Sequence, residues 1–348
     1  FASAAVIHPE RHPVMRIRQV DLFEVEIPPI APIAEIWPKI YDLTLVKLST
    51  DEGLVGWGEC QGRKADLETR FQSYAGQDPL ALDAFAQPDA INCALLDIAG
   101  QAWGVPVWRL FGEQVRDRVP VSYWSSPMEP AQTAAQAEVG AKAGFTNHKL
   151  KARPGNIVET VRLMKQAAGP DYTVGVDPNT LFVQPSVAAR LAKELEPLGT
   201  VANFEDPVLK DNLDWYRLLR EKTWIPMALH LGAPSGVLAA LKAEAVDQIN
   251  LGGSAAQVRK SAALCEAANV PIWVQMGGLC LGVMAAYSVH LQSTLAAATL
   301  ACDELPHMRV ADLTDGSLQQ SEGHFTVPQG PGLGIHVDEK VIEKYRVA

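Results

Sequence analysis

The chain of 348 residues is poor in cysteine: five residues (Cys60, Cys93, Cys265, Cys280, Cys302), odd in number and scattered, with no Cys-x-x-Cys pair. That pattern excludes a disulfide framework and a zinc knuckle, and it suits a reducing cytoplasm. Positive charge is also short, with a formal net charge of -10, so there is no electrostatic footprint for nucleic acid or an anionic membrane. An anionic ligand must be met by local positive charge. Long apolar runs are missing too. Leu281 to Ala301 comes nearest, but Ser288, His290, Gln292 and Ser293 interrupt it. The opening Phe1 to Ile7 lacks the basic start and length of a signal peptide, and residues 1–14 read as an extension ahead of the strand-like run from Met15. What remains, 48% hydrophobic and 20% charged, is the composition of a globular protein.

Periodicity divides the chain in two. Met15 to Pro28 alternates as a strand, and Leu43 to Leu48 followed by Thr50-Asp51-Glu52-Gly53 and Leu54 to Trp57 reads as a hairpin. Ala81 to Phe85 and Asp89 to Trp103 read as helices, the second stopped by Gly104. Residues 15–116 are therefore expected to form an α+β unit. Beyond it, eight β-rich runs alternate with helical segments: Val119–Trp124, Asn147–Lys151, Thr173–Asp177, Val201–Glu205, Ile225–His230, Gln248–Leu251, Pro271–Gln275 and Leu295–Leu300. Their spacing of about 20–30 residues is that of a TIM-type (β/α) barrel, here 117–322. A doubly wound sheet is the alternative, but no Gly-x-Gly-x-x-Gly follows the first strand. Residues 323–348, rich in Gly and Pro with strand-like stretches, are expected to return to the first unit.

Titratable residues end four consecutive runs: Lys151, Asp177, Glu205 and His230. In a closed barrel those ends meet at the mouth. Lys149 and Lys151, two apart, project to one side of their strand; two ammonium groups so close favour the neutral amine that can act as a base. The alternative is an amphipathic strand with solvated lysines. Asp177 and Glu205 suit a hard divalent cation such as Mg²⁺. The alternative for Asp177 is a helix N-cap.

Several motifs resemble the enolase superfamily in its mandelate racemase/muconate lactonizing branch. Thr50 to Glu59 is similar to the hairpin of that family's capping domain, Ala94 to Gly100 to its helix, and Pro328-Gln329-Gly330-Pro331-Gly332-Leu333-Gly334 to its C-terminal return. Lys149-Leu150-Lys151 matches the catalytic Lys-x-Lys, while Asp177-Pro178-Asn179 and Phe204-Glu205-Asp206-Pro207 match two metal-ligand motifs. The resemblance implies a small-molecule carboxylate substrate, a homo-oligomer, and abstraction of the proton α to the carboxylate by Lys151 with Lys149 assisting. Asp177, Glu205 and a third group would hold the cation. The third position falls on Leu231, which leaves His230 as the substitute and admits Mn²⁺ or Zn²⁺ beside Mg²⁺. Where the family carries further acid–base groups on the sixth and seventh strands, this chain has Gly252 and Gln275. One base favours dehydration of a hydroxy acid or sugar acid, or a one-sided isomerisation, over racemisation. The candidate substrate contacts are Trp37, Tyr41, Arg63, Asn179, Gln275 and Glu304. A solvated loop acid is the alternative for Glu304 and its neighbour Asp303. Two other functions are carried alongside: a non-catalytic binding or scaffold protein with an incomplete metal site, and a lysine Schiff-base aldolase.

Overall fold

The computed structural model describes residues 15–347 apart from Pro32, Pro38 and Ile40. The extension expected over residues 1–14 lies outside the described residues. The chain begins with an antiparallel sheet of β1 (Ile17–Glu24), β2 (Leu43–Thr50) and β3 (Val55–Gln61), in that order. The helix Asp89–Trp103 ends where Gly104 turns left-handed, and it packs onto β3 with its backbone almost touching the strand. Gly56 and Gly58 permit this: an added Cβ would lie 2.1 Å from Ala94 O or 1.9 Å from Ala90 O. The stretch expected as a helix from Ala81 is a single 3-10 turn, Ala84–Ala86.

The run expected over Val119–Trp124 divides. β4 (Arg118–Pro120) leaves the barrel and β5 (Tyr123–Ser125) enters it. Six further strands follow: β6 (Asn147–Lys151), β7 (Thr173–Asp177), β8 (Val201–Glu205), β9 (Met227–Leu231), β10 (Gln248–Leu251) and β11 (Ile272–Val274). Together β5 to β11 form one seven-stranded parallel sheet in chain order. No strand forms at Leu295–Leu300. The ring is closed by an extended segment just beyond, where Cys302 N donates to Pro120 O, Ser122 N donates to Cys302 O, and Asp303 N donates to Val274 O. The architecture is thus the expected (β/α) barrel with its eighth strand reduced to a bridge. Its helices turn apolar faces to the strands, as Ile157, Thr160, Val161 and Met164 do in the helix Ile157–Ala168.

The C-terminal part runs back over earlier elements of the chain. β13 (His324–Thr326) pairs with β4 on one side and with β12 (Gln320–Ser321) on the other, and Leu333 N donates to Asp97 in the helix of the first unit. Glu59 joins cap to barrel from the other side. Its buried carboxylate accepts Leu281 N (2.5 Å) and Met284 N (2.9 Å) at the start of the helix Val283–Gln292.

Alternation along β6 sends Lys149 and Lys151 to the barrel interior and His148 outward. There His148 Nε2 meets Ser125 Oγ (2.5 Å) and Nδ1 meets Tyr172 OH (3.1 Å), pinning the lysine strand between its neighbours. Burial drives this imidazole down to about 3, so it is neutral in the fold. An unfolded histidine titrates near 6.5, so the stability carried by the neutral ring is present above that pH and is lost as pH falls below it. We expect the stability gap between the native chain and His148→Asn to shrink by about 1.4 kcal/mol per pH unit between pH 6 and 4. Urea unfolding at several pH values measures this, and a pH-independent gap contradicts it.

Candidate active site and metal centre

Residues paired across parallel strands share a face, so the register lists what lines the interior: Lys149 with Gly175, Lys151 with Asp177, Glu205 with Ala228, His230 with Asn250, and Asn250 with Trp273. Lys149, Lys151, Asp177, Glu205 and His230 therefore converge. Leu231, next along β9, falls on the other face and is packed against the hydrophobic core.

Lys149 is at the centre. Its ammonium donates to Glu205 and to Asp303 Oδ2 (3.0 Å), and lies 3.4 Å from Asp177 Oδ2. Trp273 donates from Nε1 to the same Asp303 oxygen at 2.9 Å. Burial alone would lower the lysine, but Asp303, Glu205 and Asp177 reverse that and hold it well above its usual value. The expectation that Lys149 is driven toward the neutral amine is therefore corrected: three carboxylates outweigh one neighbouring ammonium.

Lys151 Nζ lies 2.5 Å from Asp177 Oδ2, whose partner oxygen accepts Asn179 N at 2.9 Å. Asp177 is no helix N-cap, since the next helix starts at Pro185. Burial pushes its carboxyl up, yet Lys149 and Lys151 bring it below the ordinary range. Glu205 goes the other way, raised by burial and by the surrounding acids.

Glu205, Asp206 and His230 each offer a ligand atom, all within 4.8 Å of one another. Asp206 sits at φ +47° directly after β8 and binds His230 N through Oδ1 (3.0 Å) and Lys210 through Oδ2 (2.9 Å). Burial, with Lys149 and Lys210 nearby, lowers His230 to about 4, leaving the neutral ring that ligates metals. Asn250 donates to Glu205 Oε1 and Gln275 Oε1, both at 3.0 Å, while its own buried Oδ1 has no partner among the described residues. Two carboxylates, a neutral imidazole and an unpartnered amide oxygen form a donor set that fits a divalent cation.

Two departures seen in the sequence, His230 and Gly252, meet in space. A Cβ at Gly252 would come within 2.7 Å of His230 Nε2, so a side chain there would displace this imidazole from its present position.

The remaining candidates are dispersed. Gln275 is in the cluster through Asn250. Trp37 packs on Trp124, ring centroids 5.5 Å apart, and Trp124 pairs in register with Lys149. Tyr41 is 38% exposed. Arg63 lies on the surface, paired with Asp66 at 3.0 Å, and meets no site residue among those described. Glu304 is neither a solvated acid nor open to a ligand. It is fully buried and accepts Met276 N (2.6 Å) and Gly277 N (2.9 Å), shaping the loop after β11. Asp206, Asn250, Trp273 and Asp303 are the members that sequence reasoning missed or left open; the only local signal was their neighbourhood to strand ends.

A family profile described as "Enolase C-terminal domain-like" matches residues 132–341, more than half the chain. The chain belongs to the enolase superfamily. Within its mandelate racemase/muconate lactonizing branch, this superfamily member is 29% identical over 353 residues to a D-galactonate dehydratase of Klebsiella pneumoniae (strain 342), covering 87% of this chain and 91% of that one. An isomerase from Streptomyces coelicolor A3(2) superposes with a TM-score of 0.80 at 26% identity, covering 95% and 97% of the two chains. The N-succinyl Arg/Lys racemase of Bacillus cereus ATCC 14579 superposes at 0.82 with 21% identity over 96% and 98%, a likeness of fold. Family, fold and the Glu–Asp–His cluster make this superfamily member a metal-assisted enzyme, a lyase or isomerase acting on a carboxylic acid. No helix among the described residues is long and apolar enough to cross a membrane.

Proposed function

We propose that the enzyme dehydrates a sugar acid, with Lys151 removing the proton α to the carboxylate. The observation that supports this most directly is the one-sidedness of the mouth: Lys151 stands on β6, while the opposite wall offers Gly252 and Gln275, neither of which exchanges a proton at neutral pH. The galactonate dehydratase relative favours the same class.

Asp177, Glu205 and His230, with Asp206 beside them, would hold the cation. We propose Mg²⁺ for the carboxylates, with Mn²⁺ and Zn²⁺ as the ions that the imidazole also admits. When bound, a divalent cation would neutralise the substrate carboxylate and the charge that develops on it as the α-proton leaves. The chain's own residues do the rest. Lys151, as the neutral amine, accepts the α-proton with its lone pair, the C–H electrons form the new C=C bond, and the ammonium so formed returns that proton to the β-hydroxyl on the same face, which leaves as water. The enol so produced becomes the 2-oxo acid. Asp177 orients the Lys151 amine, and Lys149 balances the interior acids, a positioning role suited to its charged state. Trp37 and Tyr41, from the unit 15–116, would cover the ligand over the barrel 117–322, with 323–348 completing the cap. Five free cysteines support a reducing compartment.

The test is turnover of a panel of sugar acids by protein stripped of metal and then given Mg²⁺, Mn²⁺ or Zn²⁺. Formation of a 2-oxo acid only in the presence of a divalent cation is expected. Racemised starting acid without dehydration, or turnover in excess chelator, contradicts the proposal.

A further inference from the structure

Beside Lys151, outside the ring of interior acids, lies a cavity of about 370 Å³. It falls in the size range of small-molecule sites. Its walls are Leu150 on the outward side of β6 and the segments that follow β5 and β6, including the starts of their helices, and Ile36 from the first unit borders it. Lys151 belongs to both places: its Nζ reaches Asp177 within the barrel, and the residue also lines this cavity. A ligand whose α-carbon sits at Lys151 therefore has room for its distal end here.

The lining is polar and close to charge-balanced. Arg153 lines the cavity, and its one hydrogen bond among the described residues is from Nη1 to the carbonyl of Ala152 (2.8 Å); it pairs with no carboxylate among them. Glu129, which also lines the cavity, has no ion-pair partner among the described residues and forms a capping box with Gln132 at the start of the helix Pro130–Lys142, and Asn156 makes no cap bond with its side chain. Lys151 Nζ already has Asp177 Oδ2 as its partner at 2.5 Å. Beside Lys151 the cavity thus presents one cation, one acid and the amides of Gln132 and Asn156: donors and acceptors of both kinds, with Arg153 and Glu129 balancing in charge. That set suits hydroxyl groups, which donate and accept, better than a second carboxylate or a phosphate, which Glu129 would repel.

We propose that this cavity is the subsite for the polyhydroxylated tail of the acid, with Arg153 as a specificity-determining residue; the inference rests on the sugar-acid reading above. The acid's carboxylate lies toward Glu205 and His230, its α-carbon at Lys151, and its tail against Arg153, Glu129 and Asn156. A hydrogen bond to a charged group accounts for about a ten- to hundredfold difference in affinity.

The experiment uses the metal-loaded enzyme and Arg153→Met with aldonic acids of four, five and six carbons and a six-carbon aldaric acid, following both steady-state kinetics and calorimetric binding. For the native enzyme, affinity and kcat/KM are expected to rise at least tenfold from four to six carbons. In Arg153→Met the six-carbon aldonate should lose about ten- to hundredfold, through KM with kcat little changed, while the four-carbon acid is unaffected. Equal losses for short and long acids, or chain-length indifference in the native enzyme, overturn the subsite. A tenfold preference for the aldaric acid overturns the polyol assignment in favour of an anion. If no acid turns over but Arg153-dependent binding of the long acids persists, the reaction fails and the subsite stands. If the acids turn over without regard to their tails, the reverse holds. Absence of binding by every acid overturns both.

Discussion

Lys151→Ala is expected to lose α-proton removal by about 10²–10⁴-fold, the usual contribution of a positioned general base. The fold should survive. Lys151 is one of two lysines near Asp177, and its loss leaves that carboxylate with Lys149 at 3.4 Å and the Asn179 N–H at 2.9 Å. In D₂O the native enzyme should place solvent deuterium on one face of the α-carbon, or form the 2-oxo acid directly. The alanine variant should do neither, with an unfolding midpoint close to native. Wash-in from both faces would reveal a second base that Gly252 and Gln275 do not supply. Residual exchange near the native rate would remove Lys151 from the mechanism.

Lys149→Met should be the more damaging change to stability. The side chain is 6% exposed and its ammonium sits among Glu205, Asp303 and Asp177, themselves 1–2% exposed. A methionine of similar length fills the volume but leaves three buried carboxylates facing one another. Breaking a buried ion pair from one side costs about 3–5 kcal/mol, because the charge left behind has neither water nor partner. A divalent cation that binds only the folded form should recover part of this, about 2.7 kcal/mol at a hundredfold excess over its Kd. Urea unfolding of the variant with chelator and with Mg²⁺ measures both quantities. A loss below 1 kcal/mol would mean that the ammonium does not hold the acids together.

What was legible in the sequence follows from local rules. Strands β6, β7, β8 and β10 lie at the residues their apolar periodicity predicts, and the helix Asp89–Trp103 stops at the glycine that can turn left-handed. The two-residue repeat put Lys149 and Lys151 on one face, and the motifs around Asp177 and Glu205 marked the ends of their strands. The misplaced eighth strand has an equally local explanation. Leu295 to Leu300 carries the apolar residues, but barrel closure takes only a short extended segment around Cys302, and one bridge leaves no periodicity to detect.

The charge of Lys149 could not be read in the same way. Its partners Glu205 and Asp303 lie 56 and 154 residues away, and only barrel closure brings them within hydrogen-bonding distance of the ammonium. Glu304, adjacent to Asp303, points its carboxylate at backbone amides instead, because neighbouring side chains in extended chain leave on opposite sides. His230 on β9 and Gly252 just after β10 are separate oddities until the imidazole is seen to fill the space a side chain at 252 would need. The sequence by itself determined the strand order, the face of each strand and the residue types available for chemistry, since these depend on backbone geometry and nearest neighbours. Which acids meet which lysine, and therefore that Lys149 stays charged, was decided only by the tertiary structure, because electrostatic interaction depends on distance through space and on exclusion of water, and neither is a property of position along the chain.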